Sequence, residues 1–305
     1  MKNHAPQSPQ TTLQLYKQYL EQTLGLAPST CQNHLRDVAG FLEAVPLRGA
    51  KGFAALTPVQ LTSYLSARSV DYQPASLRQV AGSLRQFLRF IQQQGWIEQS
   101  LSLAVPQIAC RTAHDPPAYL TEAQCQQLLA SCPSNTAEGR RNRAIILCLA
   151  RLGLRAGELA ALEIHDLDWR QGILRLKHTK NGSSAELPLL EEVGQALANY
   201  LRLGRADCAQ PQVFLWGSPP RPMKGQAISG VVQRALRRCG IEVPRPGAHL
   251  LRHTLASHLV QQGASLKEIA DLLRHRHVNS AAVYAHVDLP ALQALAHPWP
   301  KEVAL

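Results

Sequence analysis

From residue 11 to residue 94 apolar side chains return every three or four positions with polar residues between them, the period of amphipathic helices. TTLQLYKQYLEQTLG carries Leu13, Tyr16, Leu20 and Leu24 along one side. PSTCQNHLRDVAGFLEAV opens with Ser and Thr, which can cap a helix, and its stripe is Leu35, Val38, Phe41 and Leu42. In LTPVQLTSYLSAR, Thr57 stands as cap and Pro58 at the first helical position, where a missing N–H costs nothing. PASLRQVAGSLRQFLRFIQQQG predicts a long amphipathic helix stopped by Gly95. Its arginines Arg78, Arg85 and Arg89 share a face, either a solvated surface or a phosphate-contacting stripe. Periodicity fails over residues 100–118, which contain Pro106, Pro116 and Pro117.

Beyond that break the pattern is mixed. YLTEAQCQQLLASC predicts a helix capped by Thr121, and RRNRAIILCLARLG a strongly apolar one ending at Gly153. Two short strand-like runs follow, GILRLKH (172–178) and SAELPLL (184–190). Asn181-Gly182 between them is a hairpin signal, because both residues tolerate the positive φ of a tight turn. Helices resume with EEVGQALANYLR, QAISGVVQRALRRCG and AHLLRHTLASHLVQQG, then SLKEIADLLRH with a capping box from Ser265 and Glu268. The resulting organisation is a disordered start (1–10), an all-helical domain (11–105), a linker (106–118), and a mainly helical domain with a small antiparallel sheet (119–305).

At 305 residues, 45% hydrophobic and 17% charged, the chain is an ordinary globular protein in everything but charge balance. Lys and Arg number 32 against 21 Asp and Glu, a net charge of +11. Residues 1–110 hold nine basic and five acidic side chains, leaving 23 and 16 for the rest, so both halves are basic. A polyanion is the natural partner, and nucleic acid leads. The seven cysteines, scattered and without a C-x-x-C pair, fit reduced thiols in a cytoplasmic protein. The opening MKNHAPQSPQTT lacks a signal peptide's apolar stretch, and the longest clear apolar run, AIILCLA, is too short to span a membrane.

Candidate chemistry narrows by elimination. There is no G-x-x-x-x-G-K-[ST] loop and no strand-linked G-x-G-x-x-G, which argues against nucleotide-dependent enzymes. His249 and His253 have zinc-ligand spacing, but no glutamate follows His249, and Arg252 between them would repel a divalent metal. What remains suits phosphate. His249 and Arg252 lie three apart on one helix face, and Arg155 follows the helix-ending Gly153. Two guanidinium groups can grip one phosphodiester and stay charged at any working pH. Near the C-terminus, LLRHRHVNSAAVYAHVD sets a lone Tyr284 among Arg274, His275, Arg276, His277 and His286. Leu272, Leu273, Ala281, Ala282 and Val283 around it read as buried helix surface. A free tyrosine is mostly protonated at neutral pH; nearby cations and a hydrogen-bonding histidine would favour the phenolate nucleophile.

These segments resemble the tyrosine recombinases of the phage-integrase type, closest in layout to the Xer-type enzymes. The resemblance rests on LGLRAGELAAL, HTKNGSSAELPL, HLLRHTLASHL and LLRHRHVNSAAVYAHV, which occur in the family's order and spacing over most of residues 119–288. It implies the tyrosine recombinase fold, with a SAM-like core-binding domain followed by a mixed α/β catalytic domain. It implies Arg155 and Arg252 as phosphate clamps and Lys180 as the acid that protonates the departing 5′-oxygen. His249 and His275 would hydrogen-bond the phosphate, and Tyr284 would form a 3′-phosphotyrosine bond. No cofactor is implied. The partners would be double-stranded DNA and further recombinase copies, assembled as a synaptic tetramer. From the residues alone Lys180 could be a plain turn lysine, with Lys177 on the preceding strand as the alternative. His253 reads as a supporting residue, His277 and His286 as bystanders. Relatives often carry glycine where Arg274 stands; the larger side chain would alter the turn or add a phosphate contact. Two rivals stay open: a DNA-binding protein without catalysis, and a topoisomerase-like swivelase acting on one duplex.

Overall fold

Proline at the first turn starts four of the five α-helices among the described residues of the N-terminal half: α1 (Pro9–Gln18), α2 (Pro28–Ala44), α4 (Pro58–Ser69) and α5 (Pro74–Gln93), with a short α3 (Gly49–Ala54) among them. Its fixed φ suits the first turn, and its absent N–H would have had no intrahelical partner. Thr57 and Gln60 close a capping box on α4. The computed structural model describes residues 6, 8–45, 47–109, 117–177, 184–274 and 283–284. The chain divides into two units, residues 1–113 and 114–305.

In the first unit α5 carries the core. Its apolar face packs Leu84, Phe87 and Ile91, all fully buried, with Tyr16 of α1 and Val38 and Phe41 of α2. Tyr16 stands edge-on to Phe87 at 5.2 Å, a favoured aromatic geometry. Two expectations change here. Residues 8–10, expected in a disordered start, are ordered: Ser8 accepts a hydrogen bond from the Thr11 N–H at 3.1 Å, and α1 begins at Pro9. The arginine stripe of α5 is neither bare nor wholly available to phosphate. Arg85 donates to the carbonyls of Val105 and Pro106, and Arg78 to that of Ile108. Val105 is buried and Ile108 packs against the same core, so residues 106–108, expected in the linker, pack onto this unit.

The second unit is built around α7 (Ala137–Leu152), whose run Ala144–Ala150 is buried on every side. A helix apolar all round belongs at a centre, and α7 touches α6 (Glu122–Ala130), α8 (Ala156–Ala161), α9 (Glu191–Leu203), α10 (Gly225–Arg238) and α11 (Ala248–Gln261). A final helix, α12 (Leu266–Leu272), opens with the Ser265–Glu268 capping box and packs on α11. The sheet has strand order β1 (Leu167–Asp168), β2 (Ile173–Leu176), β3 (Ala185–Pro188), all antiparallel. Its register pairs Leu174 with Leu187 on the core side and Arg175 with Glu186 outside, an ion pair at 3.1 Å. The Asn181-Gly182 turn joining β2 and β3 lies outside the described residues. A second ribbon, β4 (Leu215–Trp216) with β5 (Arg221–Pro222), had no sequence signal at two residues per strand. No helix among the described residues is long and apolar enough to cross a membrane.

Candidate active site

The site begins where α7 ends. Gly153 closes that helix at φ 57, and a Cβ there would lie 2.8 Å from Leu273 and 3.0 Å from Leu255. Glycine therefore suits both the left-handed conformation and the narrow space. Arg155, two residues on, is the N-cap of α8. It lacks a capping oxygen, but Glu158 at the third helical position reaches back to its backbone N–H at 2.9 Å. The same carboxylate takes the Arg155 Nη1 at 2.7 Å. Burial alone would raise the Glu158 pKa; the Arg155 N–H and the Arg274 and Arg155 charges outweigh it and hold the carboxyl below the usual range.

α11 supplies the second arginine. Arg252 is 4% exposed, and its two terminal nitrogens donate to the carbonyls of Gly153 and Leu273. Each terminal nitrogen keeps a second N–H for another acceptor. Burial, followed by repulsion from Arg155 and Arg274, lowers its pKa to about 10, still well above neutrality. One turn earlier His249 is exposed, its ring 6.4 Å from that of His253.

Tyr284 lies in a short helical turn and is 2% exposed. Its ring packs in an apolar cluster with Ala256, Val260, Ile269, Ala270 and Leu273, and its hydroxyl is 2.9 Å from His253 Nδ1. His253 is thus a direct partner of the tyrosine, a contact 31 residues apart that helix spacing could not reveal. Burial lowers the His253 pKa, and His249, Arg252 and Arg245 add to the effect. The phenol departs from the expectation of a favoured phenolate: burial pushes its pKa up, and the Arg252 charge offsets this only in part. Val283, expected on a buried surface, is 41% exposed.

Lys177, just past β2, sits in a carboxylate cluster, with its ammonium 3.1 Å from Glu163 and 3.0 Å from Asp166 and in contact with His165. The Asp166 hydrogen bond leads in raising its pKa, which disfavours it as an acid. Glu163, His165 and Asp166 could by distance meet on a cation, but that ammonium already lies against both carboxylates. Lys180 and His275 lie outside the described residues. Of the six candidates, the structure places Arg155 and Arg252 around the Gly153 turn, and His249 and Tyr284 on either side of His253.

The fold and the family models define the class. The phage integrase family model matches residues 118–289, and the phage integrase N-terminal SAM-like domain model matches residues 13–95. The chain belongs to the phage integrase family and is a tyrosine recombinase. It is 37% identical over 304 residues to integrase/recombinase y4rA of Sinorhizobium fredii, covering 98% of this chain and 73% of that one. It is 32% identical over 286 residues to tyrosine recombinase XerD of Ralstonia nicotianae, covering 90% of each. Among solved structures the fold matches a lambda integrase (residues 75–356) dimer bound to a COC′ core site with TM-score 0.70, at 19% identity over 97% of this chain and 99% of that one.

Proposed function

We propose that this enzyme recombines specific sites in double-stranded DNA by two transesterifications through a 3′-phosphotyrosine at Tyr284. The phenol oxygen attacks the phosphorus, the bond from phosphorus to the 5′-oxygen breaks, and Lys180 gives that oxygen a proton. A 5′-hydroxyl of another strand then attacks the phosphotyrosine, and the tyrosine leaves. Bond energy is conserved in the ester, so strand joining draws on no nucleotide. Arg155 and Arg252 neutralise the phosphate and the further charge that develops in the pentavalent transition state. His249 and His275 hydrogen-bond the phosphate oxygens, and His253, neutral and within hydrogen-bond distance, holds the phenol and can accept its proton. The chain's excess of positive charge supports a DNA partner. A lambda integrase tetramer solved on a Holliday junction shares the fold, which supports a tetrameric synapse of this chain.

The observation that carries the reading is the Tyr284 hydroxyl at 2.9 Å from a ring on α11, the helix that also presents Arg252 and His249. The test begins by selecting bound sites from random duplex DNA. A nicked suicide substrate built on the selected site should trap an adduct that survives detergent and is digested by protease. Tyr284→Phe should abolish the adduct and keep DNA binding; an adduct formed equally well by that variant would refute the reading.

A further inference from the structure

Arg274 closes the turn after α12, and it is a residue of unusual backbone and buried side chain. Its backbone takes φ 54, the left-handed conformation that glycine adopts freely and bulky residues avoid. Its side chain, 10% exposed, folds back into the site. Nη1 donates to the Leu272 carbonyl at 3.0 Å, and Nη2 to Glu158 Oε2 at 3.1 Å and the Gly153 carbonyl at 3.4 Å. Those last two acceptors are the ones that fix the clamp arginines. Glu158 holds Arg155 through its backbone and its guanidinium, and the Gly153 carbonyl holds Arg252. Arg155 Nη2 in turn donates to the carbonyl of Arg274 itself at 3.4 Å.

We propose that Arg274 is a positioning residue: by gripping Glu158 and the Gly153 carbonyl it holds Arg155 and Arg252 in place to receive a phosphodiester. The inference rests on the site reading above. Arg274 acts through its neighbours, since its hydrogen bonds run to the turn and to Glu158 and its Nε is buried. It also sets the local charge. Three guanidinium groups around the Glu158 carboxylate leave two positive charges in excess. A phosphodiester brings one negative charge, and its pentavalent transition state carries a second. The contribution of Arg274 therefore falls on the chemical step more than on binding.

The test uses the full chain and a nicked suicide duplex bearing the selected site, with single-turnover adduct formation measured across DNA concentrations. Arg274→Gly supplies a residue that adopts this φ freely, so its thermal midpoint should equal or exceed that of the parent. Its DNA affinity should stay within about threefold, while the rate constant at saturating DNA falls at least about thirtyfold. Arg274→Lys should recover part of that loss, since an ammonium can reach one of the two acceptors. Combining Arg274→Gly with Glu158→Gln should cost little more than the worse single change, because both act through one contact.

An Arg274→Gly rate equal to the parent's overturns the proposal, as does lost affinity with an intact rate constant. Should Arg274→Gly and Arg274→Asn both fail to fold, Arg274 is a structural residue and the proposal also falls. The two readings fail separately. A parent that forms no adduct, or a Tyr284→Phe variant that does, removes the catalytic reading, whereas correct controls with an unaffected Arg274→Gly remove only this inference.

Discussion

Replacing His253 with phenylalanine keeps an aromatic ring on α11 and deletes the partner of the Tyr284 hydroxyl. That hydroxyl belongs to a residue 2% exposed and sits 2.9 Å from the His253 Nδ1, so solvent is poorly placed to substitute. Leaving a buried hydroxyl unpaired costs about 1–3 kcal/mol. Tyr284→Phe alone leaves Nδ1 unpaired on a half-buried ring, and a loss of about 0.5–1.5 kcal/mol is expected. The double variant removes both groups, so its cost should fall short of the summed singles by about 1 kcal/mol. For a unit of this size each kcal/mol moves the thermal midpoint by about 2–4 °C.

Unfolding of parent, both singles and the double variant at pH 7.5 measures that coupling directly. Repeating the series at lower pH tests the ring's charge. The folded pKa of His253 lies below its ordinary 6.5, so the unfolded chain takes up a proton that the folded chain refuses. This residue's contribution to stability is complete above the ordinary value and is lost as pH falls from there toward the folded value. His253→Phe should therefore flatten the pH–stability curve below 6.5. Strictly additive single effects would refute the hydrogen bond. An unchanged slope below that pH would refute a neutral, buried imidazole.

The remaining substitutions probe the turn and the two lysines. Gly153→Ala places a Cβ 2.8 Å from Leu273 at a φ of 57; urea unfolding should register a loss of about 1–3 kcal/mol. In the suicide assay Lys180→Met should slow adduct formation by about a hundredfold or more, while Lys177→Met, already tied to Glu163 and Asp166, should stay near the parent rate.

Much of this fold is readable from local chemistry. The caps at Thr57 and Thr121 and the box at Ser265 form where the sequence places them, and the all-apolar run at 144–150 becomes the centre of its unit. These signals are local, so tertiary contacts had only to agree with them. The misses have the opposite origin. Strands β1, β4 and β5 are two residues each, too short for any period to register. The stripe of Arg78 and Arg85 was visible, but a stripe does not say what covers it, here the carbonyls of residues 105–108.

The site divides the same way. Arg155 and Arg252 were legible because their motifs are local, and the structure joins them through one turn. The partnership of His253 with Tyr284, the inward turn of Arg274 and the raised phenol pKa all depend on depth and long-range approach. Counting cations along a sequence gives their number near the tyrosine and leaves the cost of burying it out of view.

Arg252 joins carbonyls 120 residues apart in the chain, Gly153 and Leu273, using the charged group that would meet the substrate. Folding and chemistry therefore draw on the same atoms at this position. Random mutagenesis screened for inactive but well-accumulated protein will recover changes at solvent-facing His249 readily. Lesions at 252 will tend to disappear by degradation, and natural drift there is blocked twice over.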